Sequence, residues 1–213
     1  MKIGILGSGL MGGKLGTLWA RAGYEVVFSC AKTKGKLESL AKEAGGKAKA
    51  GTVAEAVEGA DSLLLAVHWS RVDDVLKQAG NLSGKVILTC SLPMDAQNTK
   101  LILGLTTSGA EELAKKVPKA KVVSAFNTVP SEVLFGVFEG RKKTTKPSLV
   151  YCGDDAGAKK TAAGLIRDVG FDPYDIGDLK AARYTEPFTM IVAEIAYGGP
   201  KGPEMTYRFE WFK

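Results

Sequence analysis

Histidine is almost missing from this sequence: His68 is the single one in 213 residues. Any acid–base role for an imidazole therefore falls to one side chain. Cysteine is nearly as scarce. Cys30, Cys90 and Cys152 are odd in number and far apart, with no CxxC pair. That argues against a disulfide framework or a zinc site and for a reducing compartment. Long apolar runs are lacking too. The opening Met1–Leu6 is too short for a signal peptide before Gly7, Gly9, Gly12 and Gly13 interrupt it. Phe188 to Tyr197 is too short for a membrane span and carries Glu194. Lys and Arg outnumber Asp and Glu by 29 to 23, a net charge of +6. These charges are scattered, and the tightest run, Arg141-Lys142-Lys143 with Lys146, reads as a solvated loop, not a nucleic-acid patch. A soluble, cytoplasmic protein is expected, with an anionic small molecule as partner and neither nucleic acid nor membrane.

Short β-rich runs alternate with amphipathic stretches along most of the chain. Strands are expected at Lys2–Leu6, Glu25–Ser29, Lys47–Ala50, Ser62–Ala66, Lys85–Thr89, Lys121–Ala125, Ser148–Cys152 and Asp172–Asp175. Continuous apolar runs such as Leu63-Leu64-Leu65-Ala66-Val67 suit strands buried on both faces of a parallel sheet. Thr52 with Glu55, and Ser108 with Glu111, match the capping box, in which two orphan backbone donors are satisfied reciprocally. The alternation predicts an α/β fold with a doubly wound, mostly parallel sheet. Charge and turn residues replace periodicity between Glu139 and Lys146. A soft boundary is placed there, dividing residues 1–140 from a C-terminal strand–helix–strand–helix extension, 141–213, that lengthens the same sheet or stands apart. Its helices are expected over Asp155–Val169 and Leu179–Tyr197, with Asp154 and Asp155 as N-cap and first turn of the former.

Gly7-Ser8-Gly9-Leu10-Met11-Gly12 is a GxGxxG pattern lying directly between an apolar strand and the helix Leu10 to Ala22. In that context it marks a Rossmann dinucleotide site. Gly7 allows the tight turn, Gly9 lets the backbone approach a pyrophosphate, and Gly12 lets helix and strand pack closely. The helix N-terminus then offers N–H donors and partial positive charge. A P-loop fails, because Ser8 stands where its first glycine is needed and Leu15 where a magnesium-binding hydroxyl is needed. Sites for NAD place an acid at the end of the second strand to take the ribose 2′-hydroxyl. Here no acid occurs from Val26 through Gly35, and Ser29, Lys32, Thr33 and Lys34 supply hydroxyls and cations instead. A carboxylate repels a 2′-phosphate and ammonium groups attract it, so NADP(H) is the expected cofactor.

These segments resemble the NADPH-dependent coenzyme F-420 reductase family, also called coenzyme F-420-dependent NADP oxidoreductases. The resemblance rests on the glycine loop, on Ser29 to Lys34, and on Val67-His68-Trp69. Ser124-Ala125-Phe126-Asn127-Thr128-Val129-Pro130 carries it further, as do Val150-Tyr151-Cys152-Gly153-Asp154-Asp155 and Asp175-Ile176-Gly177-Asp178-Leu179 leading to Ala182-Arg183. It implies hydride transfer between the nicotinamide of NADPH and a deazaflavin, coenzyme F-420, stacked in one cleft. The same nucleotide module occurs in membrane ferric reductases, where a flavin accepts the hydride. By position, the resemblance gives Ser8 to Met11 the pyrophosphate, and Ser29, Cys30 and Lys34 the 2′-phosphate. It puts His68, Trp69, Met94 and Ser131 at the nicotinamide end, and it implies a homodimer. Cys30 stands where archaeal members usually have arginine, His68 replaces a proline, and Asn127 replaces a histidine.

Hydride transfer between stacked rings needs proximity, orientation and dry walls more than an acid–base pair, in keeping with one histidine. His68 either lines the pocket or assists a proton; Trp69 either walls the cofactor or packs on the sheet edge. Cys30 and Cys90 are read as small hydrophobes, and the helix to Tyr197 as an acceptor lid, core or dimer surface. Two rival functions are an NADP(H)-sensing protein without turnover and an imine or small-carbonyl reductase, the latter expected to end in a helical bundle.

Overall fold

The computed structural model describes residues 1–31, 33 and 35–212. Lys32 and Lys34 lie outside the described residues, as does Lys213.

The fold begins on β1 (Lys2–Leu6), α1 (Leu10–Arg21), β2 (Glu25–Ser29), α2 (Lys36–Ala44) and β3 (Lys47–Ala50). It continues with α3 (Val53–Val57), β4 (Ser62–Leu65), α4 (Val72–Ala79), β5 (Val86–Thr89), α5 (Gly109–Lys116), β6 (Lys121–Ala125) and α6 (Leu134–Glu139). β7 (Ser148–Gly153), α7 (Ala156–Val169), β8 (Asp172–Asp175) and α8 (Ala182–Gly198) complete it. The eight expected strands are present, with ends shifted by no more than one residue. They form one sheet in the order β3-β2-β1-β4-β5-β6-β7-β8. β1 pairs in parallel with β2 on one side and β4 on the other, so the winding direction reverses at β1. The sheet is doubly wound and parallel apart from the antiparallel pairing of β7 with β6, and β7-α7-β8 returns it to parallel.

Alternation along each strand divides two apolar faces. Ile3, Ile5, Phe28, Leu64 and Leu88 face α1, α6 and α7, and with them Trp19, Phe126 and Phe171 fill one core. Leu6, Val27, Leu63, Leu65 and Ile87 face α3, α4, α5 and α8. Trp19 meets Phe126 edge-on at 5.9 Å and donates its indole N–H to the Leu165 carbonyl at 3.1 Å, tying α1 to α7. Each large apolar side chain so buried contributes about 2–3 kcal/mol.

The Thr52–Glu55 capping box forms as expected. Its counterpart at Ser108 is only half made. The Ser108 hydroxyl accepts from the Glu111 N–H, but the Glu111 carboxylate is held by Arg183 at 2.7 and 2.9 Å. Asp155 caps α7 by accepting from the Ala158 N–H. Asp154 is not in that first turn; its carboxylate accepts the Leu179 N–H, bracing the entry to α8. The expected helix from Leu179 opens as a 3-10 turn over Leu179–Ala181 before α8 proper. The segment after α8, for which no element was expected, lies along β7: Ser148 N–H donates to the Tyr207 carbonyl at 2.9 Å. Phe188, Tyr207, Phe209 and Tyr174 stack edge-to-face in series along it. Among the described residues no helix is long and apolar enough to cross a membrane.

Beside the Arg183–Glu111 pair, a buried polar contact ties α8 to α5. Glu186, 1% exposed, accepts from the Gly109 and Ala110 N–H groups at 2.9 and 3.0 Å and so caps α5 from another helix. Burial raises its carboxyl from the ordinary 4.5 to about 7, against those two donors, which lower it. The folded chain thus holds this proton more tightly than the open chain. Its stabilising share is complete below pH 4.5 and is lost as pH rises to about 7, by about 3 kcal/mol. Urea unfolding is expected to show stability declining between pH 5 and 8 in the natural chain and a flatter profile in Glu186→Gln; equal slopes would remove Glu186 as the cause.

Candidate cofactor cleft

The carboxyl ends of β1, β2, β4, β5 and β6 share one edge of the sheet, and a cleft opens there at the β1/β4 reversal, where open α/β sheets bind ligands. The glycine loop crosses it. Gly7 has φ 114°, the left-handed region, and a Cβ there would lie 2.5 Å from the Ala66 carbonyl oxygen. The loop is pinned to the end of β2: Gly7 N–H donates to the Ser29 carbonyl, Ser8 N–H to that of Cys30, and Ser8 Oγ to Ser29. A Cβ on Gly12 would come within 1.9 Å of the Gly7 oxygen, so only glycine lets α1 start this close to β1. Gly9 differs. A Cβ there meets nothing within 4 Å and would project into open space. Gly9 is the N-cap of α1, has no side-chain cap, and no acid stands in the first turn. These features fit a phosphate group: a cradle, unshielded N–H donors and no opposing charge.

The cleft has two lobes that meet at Leu10, which is exposed on the first turn of α1. The outer lobe, about 370 Å³, is bounded by Gly7 to Leu10, by Cys30, Thr33 and Lys36 from the β2 side, and by Val67, His68 and Arg71 beyond β4. The inner lobe, about 350 Å³, is more apolar. Met11, Leu92, Met94, Val129 and Met190 form its walls, and Asn98, Asn127, Ser131 and Thr189 supply polar atoms. Its two ionisable side chains are both pushed up to about 12, Cys90 by burial and Tyr197 by burial together with the neighbouring Glu132 carboxylate. Neither is a proton donor or nucleophile poised for neutral pH.

The residues singled out from the sequence divide between these lobes. Gly7, Ser8, Gly9, Leu10 and Cys30 reach the outer one; Leu10, Met11, Met94 and Ser131 reach the inner one. Ser29 reaches neither. It is fully buried, and its hydroxyl donates inward to the Ile5 carbonyl at 2.7 Å, fixing the loop instead of facing a phosphate. His68 borders the outer lobe, not the inner. Its Nδ1 accepts from the Ser70 N–H at 3.2 Å, which leaves Nε2 as the N–H that donates to the Asp95 carbonyl at 3.1 Å. With both nitrogens engaged, this imidazole is a clamp between the β4 exit and the loop carrying Met94. Trp69 lies in a 3-10 turn and packs on the second core. Lys32 and Lys34 lie outside the described residues.

Several contributors were not singled out in the sequence: Arg71, in the turn after His68, Lys36 at the start of α2, and Asn98. Thr189 and Tyr197 come from α8, the helix to Tyr197 that the sequence offered as an acceptor lid, core or dimer surface. Lys14, on the second turn of α1, donates to the Ser131 carbonyl at 3.0 Å and holds that residue at the inner lobe. Among the described residues no group of three or more His, Cys, Asp or Glu is placed to hold a metal ion.

Residues 2–93, the segment that builds the glycine loop and the β1/β4 cleft, match the profile of a family described as NADP oxidoreductase, coenzyme F420-dependent. Other likenesses run over more of the chain. Metalloreductase STEAP3 of Rattus norvegicus is 31% identical over 189 residues, covering 87% of this chain and 36% of that protein. Human metalloreductase STEAP2 is 26% identical over 190 residues and is covered to 35%. The chain thus spans about a third of the length of these curated relatives. A structure from Arthrobacter sp. FB24, provisionally named an F420-dependent NADP reductase, superposes with a TM-score of 0.86 at 24% identity, covering 99% of this chain and 100% of that one. A reductive aminase of Aspergillus terreus in complex with NADPH4, cyclohexanone and allyl amine superposes at 0.67 and 19% identity, covering 93% of this chain and 62% of that one. At these identities the structural likenesses establish a shared fold.

Two glycines of this segment separate folding from binding. Gly12→Ala is expected to lower stability, since overpacking of this kind costs about 1–3 kcal/mol or more. Gly9→Ala is expected to leave the melting temperature of the free protein unchanged and to weaken NADPH binding by about tenfold or more, because the added methyl fills the cradle. Calorimetry and titration of both variants check this; equal behaviour of the two would contradict it.

Proposed function

We propose that this chain binds NADPH along the whole cleft and acts as an NADPH-dependent oxidoreductase. Its hydride acceptor, on this reading, is a deazaflavin such as coenzyme F-420 or a flavin-like ring. The observation that carries the reading is the two-lobed cleft divided at the N-terminus of α1, with a polar, cation-bearing outer lobe and an apolar inner one. The dinucleotide supplies a hydride from its nicotinamide when bound. The chain's own part is to bind, orient and exclude water. The backbone from Ser8 to Met11 holds the pyrophosphate, and Cys30, Thr33 and Lys36 border the 2′-phosphate. Met11, Met94, Asn127 and Ser131 orient the ring end. Apolar walls from Leu92, Val129 and Met190 keep the reacting face dry, which is where most of the rate gain of a ring-to-ring transfer originates.

After β6, where the imine-reductase reading expected helices, β7 and β8 join the sheet and α8 packs against it. We further infer a homodimer in the cytoplasm. The exposed Tyr184, Ile191 and Ile195 on α8 support the first part, and three unpaired cysteines the second.

Titration with NADPH and NADH, followed by oxidised deazaflavin or flavin, tests the proposal. NADPH is expected to bind at least about tenfold more tightly, since a 2′-phosphate gains charge-assisted hydrogen bonds. Its absorbance is then expected to fall when the acceptor is added, and light scattering on the same sample is expected to give the mass of two chains. Tight NADPH binding with no deazaflavin or flavin reduced would transfer the protein to the sensing role.

A further inference from the structure

The outer lobe carries a cation that its β2 side does not supply. Arg71 reaches this lobe from the 3-10 turn Trp69–Arg71, opposite Cys30 and Thr33. Its guanidinium has one hydrogen-bonded ion-pair partner, Asp74, at 2.8 Å, and both side chains of that pair are about half exposed. An ion pair so exposed contributes little, and an anion of higher charge displaces it readily. The guanidinium Nη2 donates to Asp74, and the fork's other N–H groups have no hydrogen-bond partner among the described residues. Cys30 borders the same lobe as Arg71. Cys30 itself has φ 57°, an uncommon conformation for a side-chain-bearing residue, and it closes β2 where the ribose of a Rossmann dinucleotide lies.

Resting on the cofactor reading above, we infer that Arg71 is the specificity-determining residue for the 2′-phosphate, reaching into the outer lobe from the β4 side, opposite Cys30 at the end of β2. Arginine suits this task, because its planar fork pairs bidentately with phosphate oxygens while a lysine offers a point charge. Thr33 and Lys36 stand on the β2 side of the lobe, so the phosphate is held from two directions. Asp74 then acts as a competitor: it occupies part of the fork and places a negative charge beside the phosphate.

Calorimetric titration of Arg71→Gln, Arg71→Lys and Asp74→Asn with NADPH and with NADH tests the inference without any turnover. Arg71→Gln is expected to weaken NADPH about 10- to 100-fold and to leave NADH within about twofold, which removes most of the preference between them. Arg71→Lys is expected to retain part of that preference. Asp74→Asn is expected to tighten NADPH about two- to fivefold with NADH unchanged, a gain that no loss of folding imitates. Equal weakening of both dinucleotides by Arg71→Gln, or unchanged NADPH affinity, overturns the role given to Arg71. A natural chain that binds NADPH no better than NADH overturns the cofactor reading itself, and the inference with it.

Discussion

The contact on which the site depends is the approach of Gly12 to the carbonyl oxygen of Gly7, so close that a single methyl group would collide with it. It allows α1 to rise directly from the end of β1. That in turn places the first N–H groups of α1 at the point where the sheet reverses its winding. The rest of the loop is held by bonds to β2: Ser8 and Ser29, both fully buried, spend their hydroxyls inside the turn. The loop at the centre of the cleft is thus held without any charged side chain, and the partial charge of a helix terminus there adds to the cations of the outer lobe.

The chain's later third completes what the first two thirds begin. Thr189, Met190 and Tyr197 of α8 close the inner lobe, while Glu186 of the same helix fastens it to α5 through two backbone donors. A wall of the cleft therefore depends on a buried carboxyl. The polar atoms left at the inner lobe are amides and hydroxyls, and the thiol and phenol beside them stay protonated at neutral pH. Such a surface positions rings and keeps water away; it is poorly equipped for proton transfer.

The strands were legible because a parallel sheet buried on both faces writes itself as apolar runs bounded by turn residues, as in Ser62–Leu65. The glycine loop was legible because its spacing answers a local steric demand. What was not legible depends on long-range contact. Arg71 reaches the cleft only because β4 lies beside β1, and Glu186 finds its partners 76 and 77 residues away. Ser29 and Trp69 looked like ligands because they stand at the ends of strands, but side-chain direction turned one inward and packed the other on the core. The single histidine had two readings in sequence, and its two hydrogen bonds favour the structural one.

The most direct test of the account is a crystal structure of the chain with NADPH bound. The account predicts the pyrophosphate over Gly9, the 2′-phosphate in the outer lobe between Cys30 and Arg71, and the nicotinamide in the inner lobe beside Met94, Asn127 and Ser131. A dinucleotide lying in the reverse direction, or a nicotinamide outside the inner lobe, would contradict it.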